Sequence, residues 1–410
     1  MISYLEKKSK NRLNLISIRN ILTLRYDIIT EKPARKLATV QDFKKSFNDQ
    51  GGYITEKLLN RSFKKIEKFN EFSISLSGGI DSSLCLALLR KNFPKAKIIA
   101  FSGIFENAFD ESTYAKKLAK KFDADFYPIS MESIYTKMPE IVYIAKKPRW
   151  NTYNHLITKQ ARKFSKILVT GDGGDELFGG YTFRYKKFLD LIKPNDDWKA
   201  KTVKYLECHN RDWVTDQKFL FDKGIKFNWN QIYNYFKPYF KNKLDPLKQV
   251  MLADFNGKLL HDFIPTGNAI SSYYKIDRFS PFLDREVQSF AFSLSTKSKY
   301  NHMTDEGKIV LRQINKRLKV KSMKTKLGFS PSLIFDWQKF GKEVFMTYAF
   351  EKKSNIYSKK IINRDWVIHA LELIENDGDV RYLNRITSIL ALEIWYRIFI
   401  KKDLNPKKSL

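Results

Sequence analysis

From Phe72 onward, short apolar runs alternate with stretches whose apolar residues recur at helical spacing. Phe72–Leu76 reads as a buried strand, followed by a glycine turn and a helix through Leu84, Leu88 and Leu89. Ile98–Phe101 is a second strand. Asp110–Phe122 is predicted as a helix with an acidic first turn, because Ala115, Leu118, Ala119 and Phe122 fall on one face. Phe126–Ile129 gives a weaker third strand. Tyr153, Ile157, Ala161 and Phe164 mark another helix, and Ile167–Thr170 a fourth strand. Strands separated by helices imply a doubly wound parallel sheet covered on both faces, an α/β fold.

Either side of this core the pattern differs. Residues 1–70 are lysine-rich, with a turn at Gly51-Gly52 and helical spacing at Leu58, Phe63 and Ile66. Beyond about residue 185, aromatic-rich helical spacing runs to the end; Phe227–Phe240 reads as helical core rather than a base-stacking platform. The expected organisation is an extension over 1–70, an α/β core over 71–190 and a mainly helical part over 191–410.

Composition narrows the class. A hydrophobic fraction of 43% with 32 Phe, 21 Tyr and 7 Trp argues against disorder. No uncharged apolar run reaches 18 residues, so no membrane span is expected. Met1–Lys10 interleaves charge with its apolar residues, unlike a signal peptide, and a cytoplasmic location is the default expectation. Cys85 and Cys208 cannot build a disulfide framework, and the five histidines lack metal-ligand spacing. Lys plus Arg outnumber Asp plus Glu by 75 to 44, a formal charge of +31. That excess suits a polyanionic partner such as nucleic acid, but it is spread along the chain without an RNA-binding signature, so nucleic acid is not favoured.

Two strings carry the chemistry. Ser77-Gly78-Gly79-Ile80-Asp81-Ser82-Ser83 follows the first strand and opens a helix. Its glycines let backbone amides approach an anion at a positive helix end, the serines add donors, and Asp81 offers a hard oxygen to Mg²⁺. No Gly-Lys-Ser/Thr follows, so this is not a Walker A loop. The second string, Thr170-Gly171-Asp172-Gly173-Gly174-Asp175-Glu176-Leu177-Phe178-Gly179-Gly180-Tyr181, follows the fourth strand. Loops at the carboxyl ends of neighbouring parallel strands face one crevice, so the two strings should meet. Three acidic groups beside a phosphate site would be costly without a cation, so Mg²⁺ is expected between them.

Together these strings resemble the synthetase domain of class II, glutamine-type asparagine synthetases, whose relatives include β-lactam synthetases and the wider ATP-pyrophosphatase superfamily. Phe101-Ser102-Gly103 with Asp110-Glu111-Ser112 is similar to that family's adenine-side strand and helix, Pro281-Phe282-Leu283-Asp284 to its Pro-Phe-Leu-Asp segment, and Lys308 with Leu311-Arg312 to its Lys-x-x-Leu-Arg helix. Lys326-Leu327-Gly328-Phe329 falls where the family carries an active-site lysine. The resemblance implies an adenine-nucleotide α-hydrolase-like fold and a chemistry in which a carboxylate is adenylated by ATP and ammonia displaces AMP, aspartate becoming asparagine. It implies that Leu76, Ser77, Gly78, Gly79, Asp81, Ser82, Ser102, Gly103 and Gly171 hold ATP, and that Asp81 and Asp175 ligate Mg²⁺. Asp172 falls at the family's proton-accepting acid, Lys326 would meet charge on the α-phosphate, and Asp262 would lie near the substrate.

The departures matter as well. The family begins with a glutaminase domain whose amino-terminal cysteine attacks glutamine; here residue 2 is Ile and only about 70 residues precede the first strand. Asn20–Asp27 resembles the segment leading into the synthetase domain. Ammonia would then be taken up directly, or supplied by a separate glutaminase subunit docked on residues 1–70. Where relatives commonly carry Lys-x-Asp-Arg near the substrate, the chain has Thr266-Gly267-Asn268-Ala269, which leaves open another carboxylate or amine, as in lactam formation or amidation of a carrier-bound metabolite. A tRNA-modifying ATP pyrophosphatase is the reading that the positive charge would suit.

Overall fold

A computed structural model describes residues 14–30, 32–106, 110–209, 212–321, 323 and 332–410. Helix α1 (Leu15–Leu24), capped by the Asn14 side chain, and α2 (Tyr53–Phe63) precede the sheet. The alternation then runs β1 (Glu71–Ser75), α3 (Ile80–Asn92), β2 (Lys97–Ile104), α4 (Ser112–Lys121), β3 (Asp125–Ser130), α5 (Met138–Ala145), α6 (Asn154–Ala161), β4 (Ile167–Val169) and α7 (Gly174–Phe178). A fifth strand, β5 (Asp277–Phe279), joins from beyond residue 190. The order is β3-β2-β1-β4-β5 and every pairing is parallel. The doubly wound fold expected from the pattern is present.

Alternation along the strands divides the core in two. Ile98 and Ala100 of β2, with Ile167 and Val169 of β4, pack on the face covered by Leu84, Leu88 and Phe63. Ile99 and Phe101, with Leu168, point the other way, toward Ile141, Ile157 and the long helix Val380–Tyr396. Both faces of the central strands are buried, which is why they read as continuous apolar runs. The chain leaves β1 toward β2 on one side, and β4 pairs on the other, so a crevice opens at the carboxyl ends of β1 and β4.

Several elements differ from expectation: β2 runs longer than Ile98–Phe101, and α5 and β5 were not foreseen. Helix α4 starts at Ser112 rather than Asp110, whose carboxylate accepts from the Ser112 amide at 2.7 Å and lies outside the first turn. β3 runs longer than predicted; it is a largely exposed edge strand containing Pro128, and such an edge lacks the apolar run that marks a buried strand. The aromatic stretch near residue 230 is helix Trp229–Phe240, with Ile232, Phe236 and Phe240 buried as core. Among the described residues, no helix is long and apolar enough to cross a membrane.

Candidate active site

The first loop is wired to itself by its serines. Ser82 Oγ accepts from the Ser77 amide at 3.1 Å and lies 3.0 Å from Ser77 Oγ, which accepts from the Gly79 amide at 3.1 Å. Ser83 Oγ donates to the Gly79 carbonyl at 2.6 Å. The Leu76 amide donates to the Phe101 carbonyl at 2.8 Å, fixing the turn to the end of β2. From the far side the Met323 amide donates to the Gly78 carbonyl at 2.9 Å. Lys326 lies outside the described residues.

The second loop meets the first because its glycines make room. A Cβ on Gly171 would sit 2.9 Å from that of Asp81, and one on Gly174 would sit 2.5 Å from Asp81 Cγ. Gly180 performs the same service for Asp175, whose carboxylate fills the space a Cβ would need. Asp81 opens α3 and Asp175 opens α7, so both carboxylates stand at helix amino ends, where the dipole favours negative charge.

Between these two carboxylates the structure places a lysine. Lys308 Nζ lies 2.6 Å from Asp175 Oδ1 and pairs with Asp81 Oδ2. Its side chain is 6% exposed, and its backbone adopts a left-handed φ of 56° as the residue preceding helix Ile309–Arg317. A lysine in this conformation is uncommon and is held by its surroundings. Burial alone would lower its pKa, but Asp175 and then Asp81 outweigh that and hold the ammonium above the ordinary lysine range. Glu176 turns away to accept from Tyr181 Oη at 2.5 Å; burial, then Asp175, push its carboxyl upward. The Lys-x-x-Leu-Arg match marks the position of Lys308 in the sequence. Its partnership with two acids more than 130 residues upstream is visible only in three dimensions.

A cavity of about 910 Å³ opens over this cluster. Leu76, Ser77, Gly79, Asp81, Ser82, Gly171, Asp172 and Lys308 line it. Ser102 and Gly103 stand on β2 outside the lining, and Gly78 touches Met323 instead. Asp172 lines the cavity as an ion-paired group: its carboxylate accepts from Thr170 Oγ1 and from the Arg278 guanidinium, and its carbonyl accepts from Ser280 Oγ at 2.7 Å. Asp262 is buried behind the wall, paired with Arg149 at 2.9 Å. Pattern and motif gave no warning of two cavity residues, Arg149 and Trp150, and assigned no role to a third, Arg25, within the segment Asn20–Asp27. Arg25 follows α1, reaches the cavity from the expected extension, pairs with Asp212 at 3.0 Å and lies 5.0 Å above the Trp150 ring.

Among the described residues, no three His, Cys, Asp or Glu side chains converge as ligands for a metal ion. Asp81 and Asp175 alone fit the pattern in which Mg²⁺ takes one or two carboxylates and completes its shell with water and substrate phosphates. The residues therefore fit a magnesium–nucleotide complex rather than a free ion. The glycine-lined turn and the helix amino ends fit its phosphates.

Sheet order, loop placement and this cavity define a doubly wound α/β protein with its candidate site at the carboxyl ends of the strands. The chain belongs to the asparagine synthase family, whose model matches residues 55–397. It is 25% identical over 399 residues to a putative glutamine-hydrolysing asparagine synthetase of Mycobacterium tuberculosis, covering 88% of this chain and 60% of that protein. It is 24% identical over 375 residues to glutamine-hydrolysing asparagine synthetase 1 of Bacillus subtilis, covering 81% and 57%. The chain thus spans about 60% of the length of these curated relatives. Among solved structures, a U34-tRNA thiolase from Methanococcus maripaludis overlaps 87% of this chain and 82% of its own, at 12% identity and a TM-score of only 0.32.

Proposed function

We propose that the chain is an ATP-dependent carbon–nitrogen ligase that adenylates a carboxylate and passes the acyl group to ammonia, with asparagine formation the first choice. The observation that carries this reading is the convergence of Asp81 and Asp175 on Lys308, with Asp81 and Lys308 lining the cavity together with Ser77 and Gly79 of the glycine turn. The turn formed by Ser77, Gly78 and Gly79 cradles the phosphates, with Leu76, Ser82 and Gly171 around the nucleotide and Ser102 and Gly103 behind it. Lys308 meets charge that grows on pyrophosphate as it leaves, a role shared with Lys326. Mg²⁺ held by Asp81 and Asp175 would supply Lewis-acid neutralisation of the same phosphates. Asp172 keeps its proposed place beside the acyl group, where a proton from the attacking amine must be taken up.

An ATP–pyrophosphate exchange assay across a panel of carboxylates tests the reading. Exchange that depends on one carboxylate is expected; none with any carboxylate would refute it. The net charge favours one second reading, a tRNA-modifying ATP pyrophosphatase. Under that reading RNA would bind with a steep salt dependence and stimulate ATP consumption.

A further inference from the structure

The cavity extends past the two loops to a wall built by helix Ile264–Tyr274 and β5. The helix contributes no charge there: Thr266 lines the cavity, and Gly267, Asn268 and Ala269 follow. Charge comes instead from Arg278, placed by its register opposite Leu168 of β4. Its guanidinium passes the helix at Gly267. A Cβ on that residue would occupy the space filled by Nη1 and Cζ and would lie 2.9 Å from Nη2. Only a residue without a side chain admits the arginine along this path.

The guanidinium is incompletely used. Nη2 donates to Asp172, while among the described residues no protein atom accepts a hydrogen bond from Nε or Nη1. Its neighbours differ in where their partners stand. Arg25 and Arg149 are paired with Asp212 and Asp262, neither of which lines the cavity, whereas the partner of Arg278 lines it too. A guanidinium with donors to spare at a cavity wall is matched to a planar carboxylate. The carboxylate it holds is not the one activated, because an arginine clamp would withdraw the electron density needed for attack on phosphorus.

Building on the adenylating reading, we propose that Arg278 anchors a second carboxylate of the acceptor, and that Gly267 sets specificity by giving Arg278 its path. The cation that selects the acceptor then comes from the strand rather than from the helix.

Gly267→Ala and Arg278→Gln test this separately and together, because an alanine methyl displaces the flexible end of Arg278 rather than the backbone. Calorimetry with L-aspartate, L-glutamate, succinate and the monocarboxylate propionate reads binding without requiring turnover, and exchange assays read KM. The parent protein should bind at least one dicarboxylate and not propionate. Each single variant should weaken that binding about tenfold or more, equivalent to roughly 1.4 kcal/mol, and leave the KM for ATP within about twofold. The double variant should be no worse than Arg278→Gln, since both changes remove one contact. Unchanged dicarboxylate affinity in both single variants, multiplicative losses in the double variant, or a parent that binds no dicarboxylate would overturn the proposal. A parent that binds a dicarboxylate but exchanges with none sinks the adenylating reading and leaves Arg278 standing.

Discussion

Two buried lysines show how differently one residue type can be employed. Lys308 lies between two carboxylates, and removing it takes a buried cation from each. Lys308→Met should cost roughly 3–5 kcal/mol of stability, as breaking buried ion pairs does, and on the order of 10²-fold or more in turnover. Added Mg²⁺ should raise the melting temperature of the variant more than that of the parent, because two carboxylates that have lost a shared cation gain more from a divalent one. A thermal-shift titration that finds the variant as stable as the parent would remove Lys308 from the centre of the site. Lys299 is the opposite case: it is 1% exposed, with no hydrogen-bond partner for Nζ among the described residues. Burial, then Lys248, push it down to about 7. A lowered lysine pKa means that burying the charged form costs most below pH 7 and that the cost fades as pH rises toward the unfolded value near 10.5. Lys299→Met should therefore stabilise the protein, by roughly 1–3 kcal/mol at pH 6, and progressively less toward pH 10. Denaturant melts at both pH values check this; equal gains would show that its charge carries no cost.

At the scale of elements, α1 contributes more than a cap on the sheet. It delivers Arg25 in a left-handed conformation, φ 72°, to the cavity and to Asp212. Burial opposes ionisation of Asp212, but Arg25, Lys258 and Arg385 prevail and hold it at about 2. The stabilisation is fully present above about pH 3.8 and is lost as pH falls through 2. Arg25→Met should destabilise by roughly 3–5 kcal/mol near neutrality, and the gap to the parent should close between pH 4 and pH 2 in acid-unfolding curves. A gap independent of pH would mean that packing, not charge, ties α1 down. Elements also decide what the sequence could disclose. β1, β2 and β4 were legible because both their faces are buried. β5 has three residues, none of them buried, and gave no signal. The two loops were legible as chemistry because glycine and acid spacing is local. Gly267 read only as a lost charge, since nothing along the chain reveals that Arg278 passes beside it.

For the whole molecule the nitrogen source is the sharpest question. Its two cysteines, Cys85 and Cys208, are both buried. Burial, then Asp81, raise the Cys85 thiol, and burial pushes Cys208 up to about 12 despite Lys187 nearby. Neither offers a thiolate to glutamine at neutral pH. The 410-residue chain should form product from ammonium chloride, faster as pH rises toward about 9 and free ammonia increases, and should form none from glutamine alone. Robust glutamine-dependent turnover by the purified chain would show that another nucleophile serves.

The late arrival of β5 sets an order of events during synthesis. β4 ends at Val169, and its neighbour in the sheet begins at Asp277, so more than a hundred residues must emerge before that edge is covered. Until then a nascent chain presents an unpaired, fully buried-type strand to the cell, the kind of edge that invites pairing with other chains. Arg278, Ser280 and Lys308 arrive with or after that closure, so these residues of the site are laid only once about two thirds of the chain has been made. Truncations ending before residue 277 should be sticky as well as inactive, and chaperone demand should peak while the ribosome is translating the helices in between.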